Sequence, residues 1–157
     1  QPERILEVGT YTGYSALCLA EGLSAIGKLH TIECDDELED FILENIESSP
    51  YKEQIILHIG DAKKLIPEMD EMFDLVFLDA DKREYQVYYD AVFPKLRKGG
   101  FMLVDNTLWD GKVLLDVYDK DHQTEAIRKF NNYVAADSRV EKLILPLRDG
   151  LTMIRKK

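Results

Sequence analysis

The sequence predicts an α/β fold: a mostly parallel, doubly wound sheet with helices on both faces, closed by an antiparallel hairpin at the C-terminus. Three observations carry this expectation. Short apolar runs alternate with helical stripes along the chain. The first apolar run enters a helix through a turn marked by Gly9 and Gly13. The last two strand-like runs flank Asp149-Gly150, a strong hairpin signal.

Each element can be justified in order. Ile5, Leu6 and Val8 form a short run without polar alternation, as in a parallel strand covered on both faces. Gly9 and Gly13 then permit a tight turn in which backbone comes close to a ligand. Residues 15–20 follow as a compact helix with Ser15 near its start. Residues 27–33 read as a second strand ending in Glu33, and Asp35, Asp36 and Glu37 suit the helix N-terminus that comes next. Leu38, Phe41, Ile42 and Ile46 mark one apolar stripe of that helix, which Pro50 closes. The third strand is 54–60, with Gly60-Asp61-Ala62 at its carboxyl end.

The fourth strand, 73–78, ends in Asp79-Ala80-Asp81-Lys82. Tyr85, Tyr88, Tyr89, Val92, Phe93 and Leu96 make a helical stripe of core and rim packing. Lys98-Gly99-Gly100 reads as the turn into a fifth strand, 101–104, followed by Asp105-Asn106 and then Thr107-Leu108-Trp109-Asp110-Gly111. A helix carries Ile127, Phe130 and Val134, and the tail runs as a strand over 140–147, a turn at Arg148-Asp149-Gly150 and a strand over 151–154. No linker, repeat or low-complexity segment interrupts this order, so residues 1–157 are expected to form a single domain.

Bulk composition narrows the class. A chain of 157 residues can build one substantial core. Its 45% hydrophobic and 32% charged content is that of a soluble globular protein. No apolar run approaches the ~20 residues of a membrane span. No signal peptide pattern appears, and Cys18 and Cys34 make no disulfide framework, so a reducing cytoplasmic setting is expected. Cys18, on an apolar helix, reads as a small core residue. The net charge of −10 argues against a nucleic-acid surface that tracks phosphates, which needs clustered Lys and Arg. The chain lacks an initiator Met and its first strand begins at Arg4, so it reads as a piece of a longer chain.

The glycine turn has a definite chemistry. A dinucleotide site needs G-x-G-x-x-G, but Tyr11 stands where the middle glycine would admit a pyrophosphate. No G-x-x-x-x-G-K phosphate cradle is present either. Glu7, just before the turn, would repel phosphate but suits a cationic or hydroxyl-bearing ligand. Glu33 lies roughly 20 residues beyond the turn, where an acid accepts from both ribose hydroxyls in cofactor-binding α/β folds. A solvated acid at the head of an acidic helix is the other reading of Glu33. Asp79 and the Asp105-Asn106 pair end neighbouring strands and should meet above the carboxyl edge. Two carboxylates and a carboxamide form a hard oxygen donor set, suited to Mg²⁺ or a similar divalent ion and not to zinc. His30, His58 and His122 are scattered and read as structural or surface groups.

Together, Glu7-Val8-Gly9-Thr10-Tyr11-Thr12-Gly13-Tyr14-Ser15, Leu78-Asp79-Ala80-Asp81-Lys82 and Asp105-Asn106-Thr107-Leu108-Trp109 resemble the cation-dependent S-adenosylmethionine (SAM) O-methyltransferases of the catechol and caffeoyl-coenzyme A type. The similarity runs from Ile5 to the Asp-Gly-Leu-Thr near the C-terminus. It implies a Rossmann-like class I methyltransferase fold with a seven-stranded sheet. It also implies that Glu7, Gly9, Thr10 and Ser15 hold the methionine part of SAM with Asp81 nearby, that Glu33 binds the ribose, and that Ala62 lies at the adenine. Asp79, also counted with the cofactor contacts, would bind Mg²⁺ with Asp105 and Asn106. Lys82 takes the place of the family's catalytic lysine, with Asp79 its catalytic neighbour, and Trp109 and Asp110 stand at the substrate mouth.

The activity implied is methyl transfer to a hydroxyl of a small catechol-like phenolic acceptor, with no membrane partner and, as is common in the family, a homodimer. Family members carry cap helices before the first strand, and this chain has no counterpart to them. Three alternatives stay open: the same chemistry on a hydroxylated tRNA base of the 5-hydroxyuridine type, a non-catalytic cofactor-binding protein, and a nicotinamide dehydrogenase, which Tyr11 and the missing third glycine disfavour.

Overall fold

The computed structural model describes residues 1–115 and 121–157. Seven strands form one sheet: β1 (Arg4–Val8), β2 (Lys28–Glu33), β3 (Ile55–Ile59), β4 (Phe73–Leu78), β5 (Leu96–Val104), β6 (Val140–Leu145) and β7 (Leu151–Lys156). Their order across the sheet is β3-β2-β1-β4-β5-β7-β6. Strands β1 to β5 pair in parallel, and β7 inserts antiparallel between β5 and β6. The expected mostly parallel sheet with a closing antiparallel hairpin is therefore present. Among the described residues five α-helices connect the strands: α1 (Tyr14–Ala20), α2 (Glu39–Glu47), α3 (Ala62–Glu68), α4 (Tyr85–Val92) and α5 (His122–Ala136). Among the described residues, no helix is long and apolar enough to cross a membrane.

Alternation along the central strands sends side chains to two cores. Ile5 and Leu29 pack with Ala16, Ala20, Ile42 and Ile46 of α1 and α2. Leu6, Val8, Val76, Leu78, Met102 and Val104 pack on the opposite face with Tyr85, Tyr89 and Phe130 of α4 and α5. This burial of whole strands on both faces is what holds β1, β4 and β5 in the middle of the sheet. Their carboxyl ends, and the acids that follow them, consequently share one edge.

Several expectations are corrected in detail. Phe41 is half exposed, because the inward stripe of α2 is Ile42 and Ile46 with Leu38 half-buried beside them. Cys18 is exposed on α1 and is no part of the core. Leu96 opens β5 and does not belong to the α4 stripe. Lys98-Gly99-Gly100 is a bulge within β5: pairing with β4 shifts from Phe73–Leu96 to Leu75–Phe101. The C-terminal hairpin has no two-residue turn. Leu145 pairs with Leu151, so residues 146–150 form its loop, in which Arg148 and Gly150 take φ of +49° and +85°. That loop is laced to the segment after β5, where the N–H groups of Thr107, Leu108 and Trp109 donate to the carbonyls of Gly150 and Asp149.

Candidate functional site

Strand order builds the site. The Asp79 N–H donates to the Val8 carbonyl at 3.0 Å and the Asp105 N–H to the Leu78 carbonyl at 3.1 Å, so each strand tip is pinned to its neighbour. Leu78 is in register with Val104, which sets Asp79 beside Asp105 at about the 5 Å spacing of adjacent strands. The glycine turn lies against the same place. A Cβ on Gly9 would stand 2.1 Å from the Asp79 carbonyl oxygen, and φ there is +101°. Only glycine allows that approach.

Two cavities open on this edge. The first, of about 400 Å³, is lined by Gly9, Glu33, Ala62, Asp79 and Asp81, with Tyr11, Cys34, Lys63, Glu84 and Tyr88 among the other walls. That size falls within the range of small-ligand sites. The second, of about 410 Å³, is lined by Asp105, Asn106, Asp110, Arg148 and Asp149. A larger cavity of about 820 Å³ lies at the opposite edge around Asp74, Arg97 and Phe101, remote from the clustered acids.

Glu7 sits fully buried behind the glycine turn. Thr31, its register partner on β2, donates to Oε2 at 2.6 Å. The Thr10 hydroxyl stands 2.5 Å from that of Thr31, and since Thr31 spends its proton on Glu7, Thr10 donates to it. Among the described residues Glu7 Oε1 has no close hydrogen-bond partner. Burial pushes the Glu7 carboxyl up to about 7; the hydroxyls of Ser15 and Thr31 favour the ionised form, and Asp79 and Glu33 oppose it. Glu33 is fixed at the end of β2: Oε2 accepts from the Tyr11 N–H at 2.8 Å, and Oε1 from the N–H groups of Cys34 and Asp35 at 2.8 and 3.0 Å. Ala62 is buried as the first residue of α3, after Asp61, whose carboxylate caps the helix through the Lys63 N–H.

At the tip of β4, Lys82 Nζ donates to Asp79 Oδ1 at 2.5 Å, and Lys82 is largely buried. Asp81 caps the short turn that follows and pairs with Arg83, which holds its carboxyl below the usual range. At the tip of β5, the Asn106 N–H donates to Asp105 Oδ1 at 2.7 Å, and Asn106 takes the left-handed region at φ +57°. The Tyr85 hydroxyl anchors the Asp105 carbonyl at 3.1 Å. Trp109 and Asp110 also have positive φ. Asp110 lines the second cavity, whereas Trp109 lines neither and stacks under Lys112, whose Nζ is 5.9 Å from the ring centroid.

The structure thus gathers Gly9, Glu33, Ala62, Asp79 and Asp81 around one cavity and Asp105 and Asn106 around its neighbour. Glu7 and Thr10 lie behind the turn, and Ser15 is half-buried on α1. Sequence reasoning missed Thr31, Lys63, Glu84 and Arg148. Thr31 had a signal, because it lies two residues before Glu33 and so shares its face of β2. Tyr88 was read as packing, yet it also lines the first cavity and bonds Glu84 at 2.9 Å. Of the histidines, His30 and His58 are not scattered, since they stack and hydrogen-bond at 2.9 Å on adjacent strands, and His122 is exposed at the start of α5.

A family model described as O-methyltransferase matches residues 1–157. The chain belongs to this O-methyltransferase family. Among its relatives, caffeoyl-CoA O-methyltransferase of Stellaria longipes is 30% identical over 166 residues, covering 99% of this chain and 69% of the relative. An O-methyltransferase from Bacillus cereus, solved in complex with SAH, superposes with a TM-score of 0.91 at 31% identity over 99% of this chain and 74% of that one. The O-methyltransferase TomG of Streptomyces achromogenes, solved in complex with SAM, superposes with a TM-score of 0.93 at 28% identity over 100% of this chain and 74% of that one. The resemblance carried by the three motifs is thereby borne out, and O-methyltransferase is the enzyme class of this chain.

The residues also pass a chemical test for the two groups such an enzyme implies. Glu7 is a buried carboxylate behind the turn, and among the described residues its Oε1 has no close hydrogen-bond partner, an environment whose charge suits a cationic group. Asp79 and Asp105 each spend one oxygen on a protein donor, and among the described residues their second oxygens have no partner. With the Asn106 carboxamide they make a hard-cation donor set. Among the described residues, no three His, Cys, Asp or Glu side chains gather into a metal site by themselves.

Proposed function

We propose that residues 1–157 form one methyltransferase domain that transfers the methyl group of SAM to a hydroxyl of a small catechol-like phenol held on a divalent cation. What carries this reading is the meeting of Asp79, Lys82, Asp105 and Asn106 on adjacent strand tips, next to a cavity that Glu33 and Ala62 line. Glu7, Gly9, Thr10 and Ser15 hold the methionine end of the cofactor with Asp81 close by, Glu33 accepts from the ribose hydroxyls, and Ala62 flanks the adenine. Asp79, Asp105 and Asn106 hold Mg²⁺ or a similar ion. When bound, that ion lowers the pKa of an acceptor hydroxyl and fixes its orientation.

The protein's own groups supply the rest. Lys82 takes the hydroxyl proton or stabilises the oxyanion. As the cationic half of an ion pair with Asp79, it fits the second role. The fixed strand tips position the acceptor oxygen for in-line attack on the sulfonium methyl, and that positioning supplies much of the rate. The caffeoyl-CoA specificity named for the Stellaria relative supports a phenolic acceptor. The net charge of −10 weighs against tRNA.

The test is methyl transfer from labelled SAM to a panel of catechols by the full-length protein, with Mg²⁺ and with EDTA. Transfer that needs the metal is expected. Undiminished transfer in excess EDTA would overturn the metal assignment. SAM binding without transfer to any diol would overturn the acceptor class.

A further inference from the structure

The carboxyl edge of the sheet carries several cations, and nearly all are engaged. Lys63 Nζ bonds Glu84 at 2.6 Å. Lys82 Nζ bonds Asp79 and Arg83 pairs with Asp81, each at 2.5 Å. Lys112 lies over Trp109. Arg148 differs. It is exposed and lines the second cavity, yet among the described residues its guanidinium makes no ion pair or hydrogen bond. This holds although Asp105, Asp110 and Asp149 line the same cavity. Part of the reason is that Asp149 Oδ1 is occupied by the Asp110 N–H.

The backbone adds a second observation. Arg148 sits at φ +49°, in the left-handed region that favours glycine and that other L-residues enter at a cost. The loop around it is fixed, because Asp149 and Gly150 are bonded to the segment after β5. A long cationic side chain sits at a strained position beside the acids at the tip of β5, and among the described residues no ion pair or hydrogen bond accounts for it.

We infer that Arg148 reads the acceptor. Resting on the catechol reading of this site, the inference is that the favoured acceptor carries a carboxylate besides its diol, and that Arg148 binds that carboxylate. The guanidinium fork matches a carboxylate with two parallel N–H···O bonds.

The experiment compares kcat/KM for a set of dihydroxyphenyl acids (benzoate, acetate and cinnamate) with that for their neutral methyl esters. It uses the full-length wild type and the Arg148→Gly and Arg148→Lys variants. Glycine suits the backbone at this position, so loss of folding does not confound the result. Wild type is expected to prefer at least one acid over its ester by roughly ten- to a hundredfold, the range of a charged hydrogen-bonded contact. In Arg148→Gly that ratio falls toward one, and in Arg148→Lys part of it returns. A wild type that takes ester and acid alike, or an acid preference that survives in Arg148→Gly, overturns the role of Arg148 while leaving the catechol reading intact. Absence of transfer to any acid or ester by wild type overturns that reading, and this inference with it.

Discussion

Replacing Glu7 by glutamine should make the cofactor-free protein more stable at alkaline pH and weaken its hold on SAM. Glu7 is fully buried, and its carboxyl is raised by burial from an ordinary 4.5 to about 7. Between those values the native state keeps a proton that the unfolded chain has released. Stability from this group is therefore greatest below pH 4.5, falls as pH rises to about 7, and stays low above it. The rise from 4.5 to about 7 amounts to about 3 kcal/mol. Glutamine keeps an acceptor for the Thr31 hydroxyl and cannot ionise. The variant should match wild type near pH 4.5 and gain about 3 kcal/mol at pH 8, roughly 6–12 °C in Tm for a chain of this size. Thermal melts of both proteins at the two pH values check this, since titrations not coupled to Glu7 cancel in the difference. Calorimetry should show SAM affinity falling by at least about 30-fold, because a buried charge partner is lost. A difference in stability that is equal at both pH values refutes the burial argument. Unchanged SAM affinity refutes the assignment of Glu7 to the cofactor.

Other perturbations separate fold from chemistry. Gly9→Ala forces a Cβ onto the Asp79 carbonyl and should cost about 3 kcal/mol or more, read as a lower urea midpoint. Lys82→Ala should lower kcat by about 10²–10⁴-fold, while calorimetry finds SAM affinity within about threefold of wild type. Arg148→Gly, whatever it does to acceptor choice, should raise Tm by about 2–4 °C by relieving about 1 kcal/mol of left-handed strain.

Much of this architecture was legible in the residues. The strands of the buried centre announce themselves because Ile5, Leu6 and Val8, and later Val76 to Leu78, face apolar layers on both sides. Their acids are legible too, since a carboxylate at the tip of a buried strand is costly unless something occupies it. Periodicity failed where two effects share one pattern. Leu96 continues the α4 spacing but belongs to β5, and Gly99-Gly100 signals a bulge as readily as a turn. Asp149-Gly150 pointed to a hairpin, but the loop is longer because its carbonyls are spent on Thr107, Leu108 and Trp109, a contact between segments about forty residues apart that no local rule contains. The same non-local packing brings Arg148 to the second cavity.

The charge distribution argues for the function independently of motif spacing. Glu7, Glu33, Asp79, Asp81 and Asp105 stand at or near the ends of central strands on one edge. Their proximity is unfavourable in itself: Asp79 and Glu33 both help to raise Glu7, and after burial Asp79, Asp105 and Asp81 add to the rise of the Tyr85 phenol. Lys82 and Arg83 relieve only Asp79 and Asp81. The two apolar cores beneath do not call for these acids, and the backbone bonds that Glu33, Asp81 and Asp105 accept leave Glu7 Oε1 and the second oxygens of Asp79 and Asp105 unused among the described residues. An edge that retains this much negative charge beside two cavities suits positively charged occupants, one reaching Glu7 through the glycine turn and one between Asp79 and Asp105. A sulfonium cofactor with an ammonium group and a divalent ion are occupants of that charge, whereas a dinucleotide would bring phosphates to the same acids and be repelled.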